Sequence, residues 1–323
     1  MLALQLQHES TAVADQHSNE QAGPLHEPVM VAEVLEALRP APGAVVLDLT
    51  LGTAGHALAL GKATGPTGRL IGLDADPSAL AVARGRLADS VPCRVETYQA
   101  RFSDAAAVLR EAEAAAVDCV LADLGIGSHQ LGDAARGFAF DSQARLDMRF
   151  DPASRPTAWD VVNRMPEAEL ADIFYRLGEE RYSRQIAARI CRRRVERPVD
   201  TPAELAEIVK GVVARRTPRG RTWRIHPATR VMMALRIYVN GELEQLDALL
   251  DELPRLLAPG GRAAVITYHS LEARRVKETW RRQEGEGLIR TAKPAVVRPS
   301  EEEIRLNPRA RSAQLRSARR PSR

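Results

Sequence analysis

Two acidic residues, Asp74 and Asp123, end strand-like runs, and an earlier apolar run, AVVLDL (44–49), leads into a glycine-rich turn, DLTLGTAGH (48–56). Gly52 and Gly55 let such a backbone turn sharply and come close to a ligand, and the small Ala54 helps. The turn is not a phosphate-binding P-loop, because no Lys-Ser/Thr follows it, nor the GxGxxG turn that admits a pyrophosphate. Its looser shape suits a ligand with a nucleoside at one end and an amino acid at the other. Asp74 lies 26 residues after Asp48, where a strand-end carboxylate accepts hydrogen bonds from both ribose hydroxyls. Asp76 serves either the same ligand or the N-cap of the helix that follows. Phe102 either stacks on an adenine or packs in the core, and Asp123, in ADLGIGS, points into the same crevice.

These groups converge only if the runs that carry them are neighbouring parallel strands. Apolar runs at 44–49, 69–74 and 117–124, with a further strand at 93–98, alternate with helical patterns at 28–38, 77–88 and 103–115, which predicts an α/β fold with helices on both sheet faces. In such a sheet, ligands collect beyond the carboxyl ends of the strands, where strand order reverses. The rhythm breaks at 125–156, a Gly-, Asp- and Arg-rich stretch that reads as a long functional loop. Helices follow at 157–163, 166–177, 179–194 and 202–215, the last behind a Thr201 cap and Pro202. RRTPRGRTWR (215–224) is a basic linker. Helices at 228–239 and 242–257 lead through APGG into a strand at 262–267. The expected organisation is a disordered tail over 1–25, a Rossmann-like sheet domain over 26–124 and 226–323, and a substrate loop with an inserted all-helical domain over 125–225.

The 323 residues are 45% hydrophobic but only 4% aromatic, so the core must rely on aliphatic side chains. No apolar stretch is long enough to span a membrane, and the first residues lack the order of a secretory signal. Three scattered cysteines, Cys93, Cys119 and Cys191, fit a reducing cytoplasm and no disulfide framework. No Cys/His/Asp grouping has metal-ligand spacing, so no metal is expected. The net charge of +4 is unevenly spread: residues 271–323 hold 15 Lys or Arg against 7 acids. Further arginines cluster at Arg189, Arg192, Arg193, Arg194 and Arg197, and at Arg215, Arg216, Arg219, Arg221 and Arg224. Such clusters either neutralise the phosphates of a polyanion or keep the surface soluble.

The blocks HEPVM (26–30), the turn ending in His56, DLGIGSHQL (123–131), RGFAF (136–140), LDMRFD (146–151), GEERYSRQIA (178–187), HPATR (226–230), ALRIYVNGEL (234–243), LAPGGR (257–262), ITYHSLE (266–272) and NPRARSAQLR (307–316) occur in an order that resembles the bacterial 16S ribosomal RNA cytosine-N4 methyltransferases, the RsmH or MraW family. The resemblance runs from about His26 to Arg320. It implies a class I methyltransferase sheet with a helical insertion, S-adenosyl-L-methionine as methyl donor, and the exocyclic N4 of a decoding-centre cytidine in 16S ribosomal RNA as acceptor. Cofactor contacts carried over from the family fall at Ala54, Gly55, His56, Asp74, Phe102, Asp123 and Gln130. The chain departs from the family pattern at Thr53 and Ala54, where Arg and Gly are usual. It departs again at Gly127-Ser128-His129, at Gln143-Ala144-Arg145 and at Ala273. Ala54 keeps a small side chain, so the turn works unless its backbone needs a positive φ.

For this chemistry Asp123 has two open roles: accepting an N4 hydrogen so that the nitrogen lone pair turns toward the methyl group, or anchoring the cofactor. His269 is a second catalytic candidate, meeting the base or a phosphate with Tyr268 stacking beside it, or else it caps the helix near Ser270. His226 fixes a bend before Pro227. The expected partner is 16S ribosomal RNA in the small subunit, held by Arg192, Arg193, Arg194, Arg309, Arg311 and Arg316, with no DNA and no membrane. A homodimer is compatible with the sequence, which locates no surface for it. Two other readings remain: a diverged paralogue acting on another RNA site or a small molecule, and a non-catalytic RNA-binding assembly factor.

Overall fold

The computed structural model describes residues 28–154, 156–216, 223 and 225–322. The expected disordered tail, His26, and Arg219, Arg221 and Arg224 of the basic linker lie outside these residues.

The first half of the chain alternates as its pattern requires. It runs α1 (Val31–Leu38), β1 (Val45–Asp48), α2 (Gly55–Thr64), β2 (Arg69–Asp74), α3 (Pro77–Ala88), β3 (Arg94–Gln99), α4 (Ala105–Glu111) and β4 (Val117–Asp123). Each buried strand sends successive side chains to opposite faces. Leu47, Ile71 and Val120 therefore enter one core, whereas Val46, Leu70 and Leu121 enter the other. Local chemistry sets the helix starts. Asp76 caps α3 by accepting the Ser78 N–H at 3.0 Å, with Pro77 in the first turn.

After β4 come a short helix α5 (Ser128–Gly132) and a 3-10 turn (Ala134–Arg136). Four helices follow, α6 (Ala158–Arg164), α7 (Glu167–Gly178), α8 (Ser183–Glu196) and α9 (Pro202–Ala214), each near its expected place. Thr157 opens α6 with a reciprocal capping box to Asp160, and Thr201 caps α9 through the Glu204 N–H. The next helix, α10 (Thr229–Asn240), contributes Val231, Leu235 and Val239 to the same core as Leu170, Phe174, Ile186 and Leu205. The helical core thus extends past residue 225, where the sequence placed the return to the sheet domain. An amphipathic helix follows its apolar face, and that of α10 meets α7, with Gly178 close against Arg230 and Ala234.

The chain returns to the sheet through α11 (Glu242–Leu256) and β5 (Leu257–Thr267), then α12 (Ser270–Gly285), β6 (Arg290–Thr291), α13 (Glu301–Leu306) and β7 (Gln314–Arg319). Strand order is β3-β2-β1-β4-β5-β7-β6. The first five strands are parallel, and β7 lies antiparallel between β5 and β6. The sequence reading contained neither β6 nor β7. The basic segment after Arg309 is largely a strand of the sheet, with Leu315 and Ala318 buried.

Candidate functional site

Strand order reverses between β1 and β4, and a cleft opens beyond the carboxyl ends of these strands. Gly52, Gly55, His56, Asp74, Phe102 and Asp123 all line it, as does Gln130. Ala54 does not. It is fully buried beneath the turn as the residue before α2, with φ 67° and ψ 28°. The turn therefore does require a left-handed conformation where this chain carries an L-residue, at a cost of about 1–2 kcal/mol. Gly55 has no substitute: a Cβ there would lie 2.9 Å from the Pro28 ring.

Asp74 is held by the turn it serves. One carboxylate oxygen accepts the Gly52 N–H at 2.7 Å and the other the Asp76 N–H at 2.8 Å. Burial raises its pKa, partly offset by those two backbone donors. Asp76 belongs elsewhere. It is wholly buried, caps α3, and receives Gln130 Nε2 at 3.1 Å and Arg136 Nη1 at 2.9 Å. Burial opposes its charge, but these donors and His129 hold its pKa well below the usual carboxylate range. Gln130 lines the cleft with its amide already engaged, since Oε1 also accepts the Gly127 N–H at 3.1 Å.

Asp123 stands where β4 ends. Its backbone N–H donates to the Thr50 hydroxyl at 2.7 Å, and Oδ1 accepts the Tyr268 hydroxyl at 2.8 Å. Oδ2 lies 3.5 Å from His56 Nε2, beyond a good hydrogen bond but close enough for charge attraction. Both His56 ring nitrogens are buried without a hydrogen-bond partner among the described residues. Burial works against the charged imidazole, yet the Asp123 and Asp48 carboxylates outweigh it and raise the His56 pKa. Burial raises the pKa of Tyr268 and Asp123 adds to it, so the phenol stays protonated and donates.

Asp48, behind the turn, is 1% exposed. Burial, only partly offset by His56 and the Thr50 N–H, pushes its pKa up to about 6. A carboxyl group raised by folding destabilises the native state once ionised. Stability is therefore lost as pH climbs from the unfolded value of about 4 through about 6. Asp48→Asn should match the parent below about pH 4 and exceed it by about 2–3 kcal/mol above pH 7. Urea unfolding across that range checks this, and a pH-independent difference would contradict it.

The second wall of the cleft comes from the loop after β4 and from the α10–α11 junction: Phe150, Asp151, Ser154, Asn240, Glu242 and Gln245. Sequence reasoning missed these residues. Asn240 accepts the Phe150 N–H at 2.7 Å and donates to the Met148 carbonyl at 2.9 Å. No local pattern announces bonds across ninety residues.

Two groups of expected residues need correction. His269 is the N-cap of α12, accepting the Glu272 N–H through Nδ1 and facing Glu272 Oε1 at 3.0 Å. It does not line the cleft, whereas Tyr268 and Glu272 do. The capping-box spacing, with Glu272 three residues after His269, was the available signal. Among the arginines, Arg194 donates to the Val162 and Met165 carbonyls at 2.8 and 2.7 Å. It closes the end of α6 and is not free for a phosphate. Arg193 donates to the Arg197 carbonyl at 2.9 Å, whereas Arg192, Arg309 and Arg311 are exposed. Arg316 is a half-buried β7 residue that donates to Gln314 at 3.3 Å. His226 packs against Phe140 with ring centroids 4.6 Å apart and accepts the Ala228 N–H, which bends the chain as expected.

A parallel sheet completed by an antiparallel seventh strand, with a glycine-rich turn after β1 and a carboxylate at the tip of β2 on one cleft, defines a class I S-adenosylmethionine-dependent methyltransferase. Within that class the chain belongs to the MraW methylase family, whose sequence profile matches residues 24–321. It is 48% identical over 311 residues to a ribosomal RNA small subunit methyltransferase H of Syntrophotalea carbinolica, covering 91% of this chain and 98% of the relative. Relatives bearing the same name in Geobacter sulfurreducens and Thermomicrobium roseum are 46% and 43% identical, each over 91% of this chain and over 98% and 93% of their own lengths.

Proposed function

We propose that this protein methylates the exocyclic N4 of a decoding-centre cytidine in 16S ribosomal RNA, acting on the small subunit in the cytoplasm. Bound S-adenosyl-L-methionine supplies an electrophilic methyl group on a sulfonium. The residues present fit that donor. Asp74 offers a fixed carboxylate for the ribose hydroxyls, Phe102 a ring for the adenine, and buried His56 an unpartnered nitrogen for the methionine carboxylate.

The observation that carries the reading is the Asp123 carboxylate, oriented by Tyr268 at the junction of the donor side and the loop side. Cytosine N4 is a weak nucleophile because its lone pair is conjugated with the ring. A carboxylate that accepts one N4 hydrogen frees that pair and stabilises the positive charge that develops. The same acceptor repels a uracil O4, which brings no hydrogen. A base inside folded RNA must first turn out of its stack, at a cost of a few kcal/mol. Nucleoside mass spectrometry of 16S ribosomal RNA from a deletion strain should show loss of N4-methylcytidine and recovery when the gene returns. Unchanged N4-methylcytidine would refute the proposal.

Phosphate contacts belong to arginines whose guanidinium groups are exposed. Arg189, Arg193, Arg197 and Arg215 line a surface groove between α8 and α9 together with Glu204 and Glu207. Arg197 is paired with Glu204, leaving Arg189 and Arg215, with the neighbouring Arg192, as the stronger candidates. Replacing Arg189, Arg192 and Arg215 by Gln should flatten the log–log salt dependence of RNA binding by about 2, at roughly 0.7 per single-strand phosphate contact. Filter binding measures this, and an unaltered slope would remove the groove from the interface.

A further inference from the structure

An irregular segment can form the wall of a catalytic cleft only if something holds its backbone. Residues 137–154 contain no helix or strand, yet Phe150, Asp151 and Ser154 line the same cleft as Asp74 and Asp123. Two side chains from outside the segment hold its 148–150 backbone. Asn240 takes the Phe150 N–H and the Met148 carbonyl. Arg136 Nη2 donates to the carbonyls of Arg149 and Phe150, both at 2.8 Å. The other arm of the same guanidinium, Nη1, meets the buried Asp76 carboxylate at 2.9 Å. Asp76 also donates its own N–H to Asp74, the carboxylate placed on the ribose.

We propose that Arg136 is a positioning residue for the target base: it fixes the 148–151 wall relative to the donor side by bracing that backbone against Asp76. The proposal rests on the assignment of this cleft to RNA methylation. The bracing needs a planar group with donors in two directions, which guanidinium has and ammonium lacks. A lysine meets the Asp76 charge but does not also span two carbonyls on its far side. The adjacent backbone allows little slack. Gly137 has φ 71°, and a Cβ on it would stand 2.6 Å from the Arg145 carbonyl oxygen and 3.0 Å from the Asp147 nitrogen. The Met148 N–H in turn donates to the Arg136 carbonyl at 3.0 Å, so the wall folds back on the residue that braces it. A buried pair with these extra hydrogen bonds fixes geometry more than it adds net stability.

Arg136→Lys in the full chain is the test, with hydrogen exchange read by mass spectrometry and methyl transfer to isolated small subunits read in parallel. Exchange over 147–154 should accelerate at least about tenfold, as expected for losing one or two charge-assisted hydrogen bonds, while 45–60 is unchanged. The KM for the small subunit should rise about tenfold, with S-adenosylmethionine affinity within about twofold of the parent. Unchanged exchange over 147–154, uniform acceleration across the chain, loss of the fold, or a defect confined to donor affinity would each overturn the proposal. If the parent enzyme itself transfers no methyl group to the small subunit, the functional assignment fails, and the exchange arm still decides whether Arg136 braces the wall.

Discussion

Asp123→Asn is expected to lower kcat by about 10²–10³-fold, in the range seen when a positioned proton acceptor or charge stabiliser is removed. The substitution keeps the side-chain shape, and the amide oxygen can still receive the Tyr268 hydroxyl that now meets Oδ1 at 2.8 Å. It then presents an NH2 in place of Oδ2, and two donors face each other where N4 arrives. Single-turnover methyl transfer with saturating donor isolates that step. If Asp123 only anchored the donor, the loss would appear in the KM for S-adenosylmethionine with kcat nearly retained. That outcome would return the acceptor role to another group.

The second large effect is expected at Asp74. In Asp74→Asn the affinity for S-adenosylmethionine should fall about 100-fold, since each hydrogen bond to a charged group is worth about 1.5–3 kcal/mol. The carboxylate also receives the Gly52 and Asp76 N–H groups, and an amide can satisfy only one of them without placing donor against donor. Titration calorimetry should show the same loss for S-adenosylhomocysteine, because both ligands carry the ribose. A loss for one and not the other would place Asp74 at the sulfur end of the ligand and refute the ribose assignment.

What the sequence revealed about this cleft follows from which interactions are local. Asp74 and Asp123 were legible because a buried parallel strand is largely an apolar run, and an acid at its end marks the tip. Asp76-Pro77 and Thr201-Pro202 announced their helices through cap chemistry confined to three residues. The strand β7 escaped notice because QLRSAR shows polar side chains at most positions, and its partners β5 and β6 supply the hydrogen bonds that make it a strand. Arg194 looked like a free cation because nothing near it in the chain reveals the two carbonyls at the end of α6. The wall built by Arg136 and Asn240 was hidden for the same reason: its bonds join side chains to distant backbone. His269 is a different case: a cap and a catalytic reading both stood open, and the capping box to Glu272 decides for the cap.

The neighbours β4 and β5 are separated in the chain by the whole helical unit, so closing the sheet carries the entropy of a very long loop. As the chain leaves the ribosome, β4 emerges with Val120, Leu121 and Ala122 on an unpaired margin, and it must wait for β5 to be synthesised. Helices α6 to α10 between them share a core of their own, and their early folding would draw the two margins together. A nascent chain halted before β5 is therefore the form most exposed to aggregation and most in need of a chaperone.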